Sequence, residues 1–352
     1  MNCSPGGLFR TNMKMRSSTV DKKGMFLVSA AGIMWGFVGI FVTHLASMGV
    51  STVGIVTLRM GGSALCVAMF IVLSELACGR SWDEIAGFFR CNPRDLALIA
   101  AMGFLGLGVS NLCSYQAMQL VGVATSTVLL YTGPVFVGIA SALLYGEPLD
   151  GQRCVAFALN LFGSFLVVTN GDVSGMSFDV FGVALGVFAA LINVVYVLGG
   201  KHLAGAHDPR VLVCYAFLFA FIGLLPIGFP FRDVTRVAGL ELASWSFVFC
   251  LLPSAAAYLL YMAGIATGLE AGKVSVLASL EVVSASLVGV LLLGDPLGAA
   301  SAAGIVVVFL SVAAMNLNIA GKRASYTLGL LAFVREEWVQ ANFKAKTARL
   351  YW

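Results

Sequence analysis

The chain has 352 residues, of which 59% are hydrophobic and 11% charged, against roughly 45–50% and about 25% in a soluble domain. That composition excludes an ordinary soluble protein. The net charge of +4 comes from basic residues between apolar stretches, where membrane topology rather than nucleic-acid binding explains them.

Residues 1–24 form a polar, basic leader to the first apolar stretch. That stretch runs on for about 24 residues without an A-x-A cleavage site, too long for a signal-peptide core, and is read as a retained span. Charge-free windows at 24–58, 96–146, 154–171, 180–200, 211–231, 242–269 and 296–321 together hold 200 residues. A bilayer crossing takes about 20. Hydropathy and punctuation predict ten helices, at 25–48, 51–77, 95–118, 122–145, 151–170, 178–200, 210–231, 240–265, 272–293 and 299–320. Gln116, Gln119 and Gly122 mark the turn that divides the window 96–146 into two crossings. Pro134, inside the fourth helix, removes a backbone hydrogen bond and predicts a kink. Residues 321–352 contain an apolar run, Tyr326 to Val334, too short to span; they read equally as a cytoplasmic tail or a segment lying on the membrane surface.

Of the 21 Lys and Arg residues, 18 fall on the side that holds both termini. That side is expected to be cytoplasmic and the membrane to be the plasma membrane. The eight cysteines show no C-x-x-C pair and no zinc-like spacing, so neither a disulfide framework nor a metal site is expected.

An internal repeat organises the chain. Gly122-Val-Ala-Thr-Ser-Thr, Pro134 and Leu144-Tyr145-Gly146-Glu147-Pro148-Leu149 are echoed 148 residues later by Ala271-Gly-Lys-Val-Ser, Glu281-Val282 and Leu292-Leu293-Gly294-Asp295-Pro296-Leu297. The repeats are placed at 25–170 and 178–320, five helices each. An odd number makes the two copies enter the membrane from opposite sides. The expected fold is therefore an all-α polytopic membrane protein of ten transmembrane helices in two inverted five-helix repeats.

Trp35-Gly36, Gly49-Val-Ser-Thr-Val followed by Arg59, Tyr115-Gln-Ala117, Gly146-Glu147-Pro148, Leu280-Glu281 and Gly294-Asp295-Pro296 together resemble the paired EamA domains of the drug/metabolite transporter superfamily. The resemblance covers about 25 to 320. It implies an exporter of small metabolites, amino acids or drugs that works by alternating access. Val282 stands where that family's second-half Glu is usually followed by Pro, so the ninth helix is expected to be straighter than the fourth.

Chemistry inside the membrane belongs to polar groups, since burying them unpaired is expensive. Glu281 is the one acid near the middle of a span; it could bind a substrate amine, carry a proton, or serve structure alone. Ala278, Ser284 and Ala285 share its face and are expected to leave room for a cavity beside it. Arg59 is first read as an interface anchor on a long stem, with pairing to Glu281 or recognition of a substrate carboxylate as the other readings. His44 is read as interfacial. Asn111 with Tyr115, Asn193 with Tyr196, and Ser254 with Tyr258 and Tyr261 draw wettable stripes along apolar helices, and Trp35 and Tyr131 fall near mid-span. As a set they are expected to line a small-molecule pocket, although each alone reads equally well as core packing.

Gly32-x-x-x-Gly36 and Gly182-x-x-x-Gly186 predict close helix contacts within one monomer, with a weak homodimer as the alternative. Gly268-Leu-Glu-Ala-Gly272-Lys273 is one residue short of a phosphate loop and follows no strand. H-E-x-x-H and G-x-S-x-G are absent. No cofactor is implied; the expected partners are the lipid bilayer and a small-molecule substrate, with no nucleic acid. A secondary transporter is favoured over a channel-like facilitator and, last, an intramembrane enzyme.

Overall fold

The structure is a computed structural model that describes residues 22–174, 176, 179–227, 239–294 and 297–316. The expectations for residues 1–21, for Asp295-Pro296 and for the tail 321–352 lie outside the described residues. Among the described residues, eight stretches are long and apolar enough to cross a membrane, and two shorter apolar helices, Gly133–Tyr145 and Pro209–Leu224, bring the number to ten.

In chain order these are α1 (Lys22–Ser47), α2 (Thr52–Ala77), α3 (93–121), α4 (123–145), α5 (Gly151–Thr169), α6 (Val180–Leu203), α7 (Pro209–Leu224), α8 (Leu240–Ile265), α9 (Ala271–Leu292) and α10 (Ala299–Asn316). No strand occurs among the described residues. The turn between α3 and α4 falls at Gly122, whose φ of +80° only glycine adopts freely. α7 is shorter than the predicted 210–231. Its regular helix ends at Leu224, two residues before Pro226. The short helix Trp82–Phe88 between α2 and α3 opens with a capping box of Ser81 and Glu84, whose bonds from the Ser81 N–H and hydroxyl hold the Glu84 carboxyl below the usual range.

Large apolar side chains stand on the outside of the bundle: Leu65, Leu73, Phe162 and Phe181 are all more than half exposed. Such a surface suits a lipid solvent and not water. The polar groups are inside.

Glycines set the closest approaches. A Cβ at Gly32 or Gly36 would strike Ala278 or Ser284 of α9, and one at Gly182 or Gly186 would strike Val121 or Leu129 of α3 and α4. Both glycine pairs thus pack helices within one monomer, as small residues do in membranes. The Gly36 contact also corrects an expectation: Ser284 and Ala285 pack against α1, so of the three small residues expected beside Glu281 only Ala278 lines a cavity.

Three spans are interrupted. α1 turns at Gly36 and Phe37, α4 at Tyr131 and Thr132, and α9 at Ser279. The break in α4 is the one Pro134 predicts. It precedes the proline, and the Thr132 hydroxyl donates to Leu129 O at 2.6 Å. The break in α9 overturns the expectation of a straighter ninth helix. Ser279 (φ −67°, ψ −3°) is 148 residues after Tyr131 (φ −75°, ψ 2°) and has nearly the same backbone. Without a proline, the interruption is held by the Ser279 hydroxyl, which donates to Val276 O at 2.7 Å.

Candidate functional site

The breaks of α4 and α9 face one cavity of about 190 Å³ inside the bundle. Its wall brings together eleven of the side chains singled out in the sequence, Trp35, Arg59, Asn111, Tyr115, Tyr131, Pro134, Asn193, Tyr196, Tyr258, Tyr261 and Glu281; Ser254, expected with them, is not part of the lining and instead accepts from Arg59. They come from seven helices, α1 to α4, α6, α8 and α9. Sequence reasoning did not include Ser110, Ser114, Ser275 and Ser279, which also line it. The spacing Ser275-x-x-x-Ser279-x-Glu281 could have drawn attention to them, because i and i+4 share a helix face.

Arg59 does not reach the interface. It is 3% exposed, and its Nε donates to Ser254 Oγ at 2.8 Å while Nη1 donates to Asn111 Oδ1 at 3.3 Å and to Tyr115 OH at 3.2 Å. The guanidinium also lies over the rings of Phe249 at 5.1 Å and Tyr258 at 5.9 Å. Three acceptors and two aromatic faces replace the water that a snorkelling arginine would have sought. Ser254 follows Pro253 in a segment of α8, Leu251–Ala256, that is wound as a π-helix and packs against α2, and Phe249 lies in the regular helix just before it. A second π-helical segment, Met102–Val109, precedes Asn111 in α3.

Glu281 opens the second half of α9 and is half-buried because it fronts the cavity. Arg59 and Glu281 lie within electrostatic reach of each other, yet no ion pair joins them among the described residues. The site therefore brings one fixed cation and one carboxyl group to the same cavity. The expected pairing of Arg59 with Glu281 is not made as a contact among the described residues.

An aromatic cluster forms another wall. Trp35 packs against Tyr258 at 4.9 Å and Tyr261 at 5.0 Å between ring centroids, and Tyr196 meets Tyr258 at 5.5 Å. Two polar atoms in this cluster are buried without a partner among the described residues, Trp35 Nε1 and Tyr196 OH. Unpartnered donors in an apolar wall cost on the order of 1–3 kcal/mol each. Asn193 differs, since its Nδ2 donates to Gly106 O at 3.1 Å.

At the end of the bundle that holds the α4–α5, α6–α7 and α8–α9 connections, ion pairs tie the two repeats together. Gly146 (φ +66°) ends α4, and Glu147 then pairs with Lys201 of α6 and accepts from the Ala271 N–H that starts α9, at 2.9 Å. Arg153 of α5 pairs with Glu270 at 2.6 Å. This is the structural role of Gly146-Glu147-Pro148. At the other end, His44 of α1 stacks on Trp245 and contacts Glu241 Oε1 at 3.1 Å, in keeping with an interfacial residue.

The chain matches the model of the EamA-like transporter family twice, over residues 22–169 and 180–317. It is a member of that family and an integral membrane protein. It is similar to a Bacillus subtilis (strain 168) protein described as an uncharacterized transporter, YwfM, at 28% identity over 158 residues, which is 45% of this chain and 52% of that one. The alignment thus spans about half the length of that curated relative. A solved crystal structure shares the fold at a TM-score of 0.62 and 17% identity, covering 83% of this chain and 97% of the other.

Proposed function

We infer that the protein is a secondary transporter that exports small metabolites, amino acids or drug-like compounds across the plasma membrane, with both termini cytoplasmic. The observation that carries this reading is the cavity between two broken helices, where the Arg59 guanidinium and the Glu281 carboxyl face the same space without contact and Trp35 Nε1 and Tyr196 OH have no partner among the described residues. A ligand with separated polar groups and an apolar body fits that wall. The two family matches of five helices each support opposite orientations of the repeats, the arrangement in which alternating access rocks one half against the other. The excess of basic residues at the Glu147–Lys201 end supports a cytoplasmic location for it.

Glu281 is the one carboxyl in the described lining, and the lining serines Ser110, Ser275 and Ser279 donate their hydroxyl protons to the carbonyls of Ala189, Ala271 and Val276 and not to it, so none of the three is paired with a base as a nucleophile would be. That favours carriage over a covalent reaction.

The test is flux in proteoliposomes holding the purified protein, with substrates drawn from extracts of cells that overexpress it. Saturable counterflow, in which an unlabelled compound inside accelerates entry of the labelled compound, is the expected result. Fast current without saturation or counterflow would instead assign a channel.

A further inference from the structure

Outside the cavity, buried polar groups concentrate where α5 passes the break of α9. Asn160 is fully buried, and its Nδ2 donates to the hydroxyls of Ser279 and, at 3.3 Å, Ser311. Both hydroxyls have already committed their protons, Ser279 to Val276 O and Ser311 to Val308 O, each at 2.7 Å. The amide can therefore offer them only its NH2 group. Its Oδ1 is left buried with no partner among the described residues. One turn further along α5, Ser164 is also fully buried and its hydroxyl has no partner among the described residues. Val167, at the next turn, packs with Val282 beyond the break, which places Ser164 alongside the break itself.

The fold does not require this polarity. At the 148-residue offset, Asn160, Ser164, Ser279 and Ser311 correspond to Val308, Val312, Tyr131 and Gly163. One repeat thus carries two unsatisfied oxygens where its mate carries valines.

We propose that Asn160 Oδ1 and the hydroxyl oxygen of Ser164, the two unpartnered oxygens beside the break of α9, bind a monovalent cation of sodium's size. Both are neutral, hard oxygen ligands, and neither is a carboxylate, the group a divalent ion needs to offset its dehydration. The half-helix directs its partial negative charge at the break, and broken membrane helices hold cations at such ends. Ser279 also lines the cavity, so an ion has a route in. An ion bound there would sit at the joint between the two halves of α9.

The test uses the full chain, purified in detergent or nanodiscs, with no substrate present. Radioactive sodium binding at equilibrium is measured beside melting curves in sodium, potassium and choline chloride at matched ionic strength. Sodium should bind saturably and raise the melting temperature above that in the other two salts. Asn160→Ala and Ser164→Ala should each weaken sodium binding by roughly tenfold or more. Ser164→Ala leaves the bonds of Asn160 intact, so it remains readable even if Asn160→Ala folds poorly. Equal melting in all three salts, or sodium binding unchanged in Ser164→Ala, would overturn the proposal and assign the cluster to a buried water or to packing. Because no substrate enters the assay, either result leaves the transporter reading to its own test.

Discussion

Arg59 and Glu281 bring a guanidinium and a carboxyl group to the same cavity, with no contact between them among the described residues. Glu281→Gln keeps size and hydrogen-bonding capacity while removing the charge. Concentrative transport should be abolished and its pH dependence flattened, with a melting temperature within a few degrees of the parent; unchanged flux and pH profile would assign Glu281 to structure alone. Arg59→Met is the harsher change. It strips three hydrogen bonds and two ring contacts, leaves Glu281 without its compensating charge, and should lower stability by about 3 kcal/mol, read by melting in detergent. Combining it with Glu281→Gln should recover part of that loss, because the double variant buries no uncompensated charge. Trp35→Ala should weaken substrate binding roughly tenfold or more at near-normal expression; equal loss of folded protein and of transport would mark it as a packing residue. Arg59 was misread in the sequence as an interface anchor for a physical reason. Position along a helix suggests how far a stem must reach, but not that Ser254, Asn111, Tyr115 and the face of Phe249 converge on it from two other helices.

The two broken helices teach a related lesson. Pro134 announces its break, since a missing N–H and a rigid ring can be read directly from sequence. The α9 break carries no such mark. It is stabilised by Ser279 bonding back to Val276 O and by Asn160 holding that hydroxyl from α5, and an amide 119 residues away cannot be assigned from local pattern. The repeat contained the answer nonetheless, because Tyr131 and Ser279 occupy equivalent positions. Since α9 is already interrupted there, Val282→Pro forfeits one bond, from the Val282 N–H to Ser279 O at 3.0 Å. It should cost about 1 kcal/mol, well under the roughly 3 kcal/mol of a proline in an unbroken helix. A loss of the larger size in thermal melts would mean that α9 behaves as one continuous helix.

For the molecule as a whole, the number of spans, their order and the polar set facing one cavity could be read from periodicity and composition. The way the repeats are fastened could not. Glu147, Lys201, Arg153 and Glu270 lie in four different connections and helix ends, and only folding brings them together. If these pairs hold the bundle shut at that end, Glu147→Gln should favour the state open there. A cysteine placed at Ser275, one turn into α9 and on the cavity wall, should then react with a membrane-impermeant thiol reagent applied from that side roughly tenfold faster, the effect of about 1.4 kcal/mol. An unchanged rate would show that the pairs fasten the fold without gating it.

The proposed transport requires that a small molecule be held in the cavity and carried from it. An untargeted comparison of metabolites in medium and cytosol, made on cells lacking the protein, cells expressing it, and cells expressing Glu281→Gln at the same level, examines that without prior choice of substrate. The expected result is at least one compound displaced to the medium by the parent protein and left in the cytosol by the variant. If parent and variant redistribute the same compounds to the same extent, the cavity around Glu281 is not the transport site.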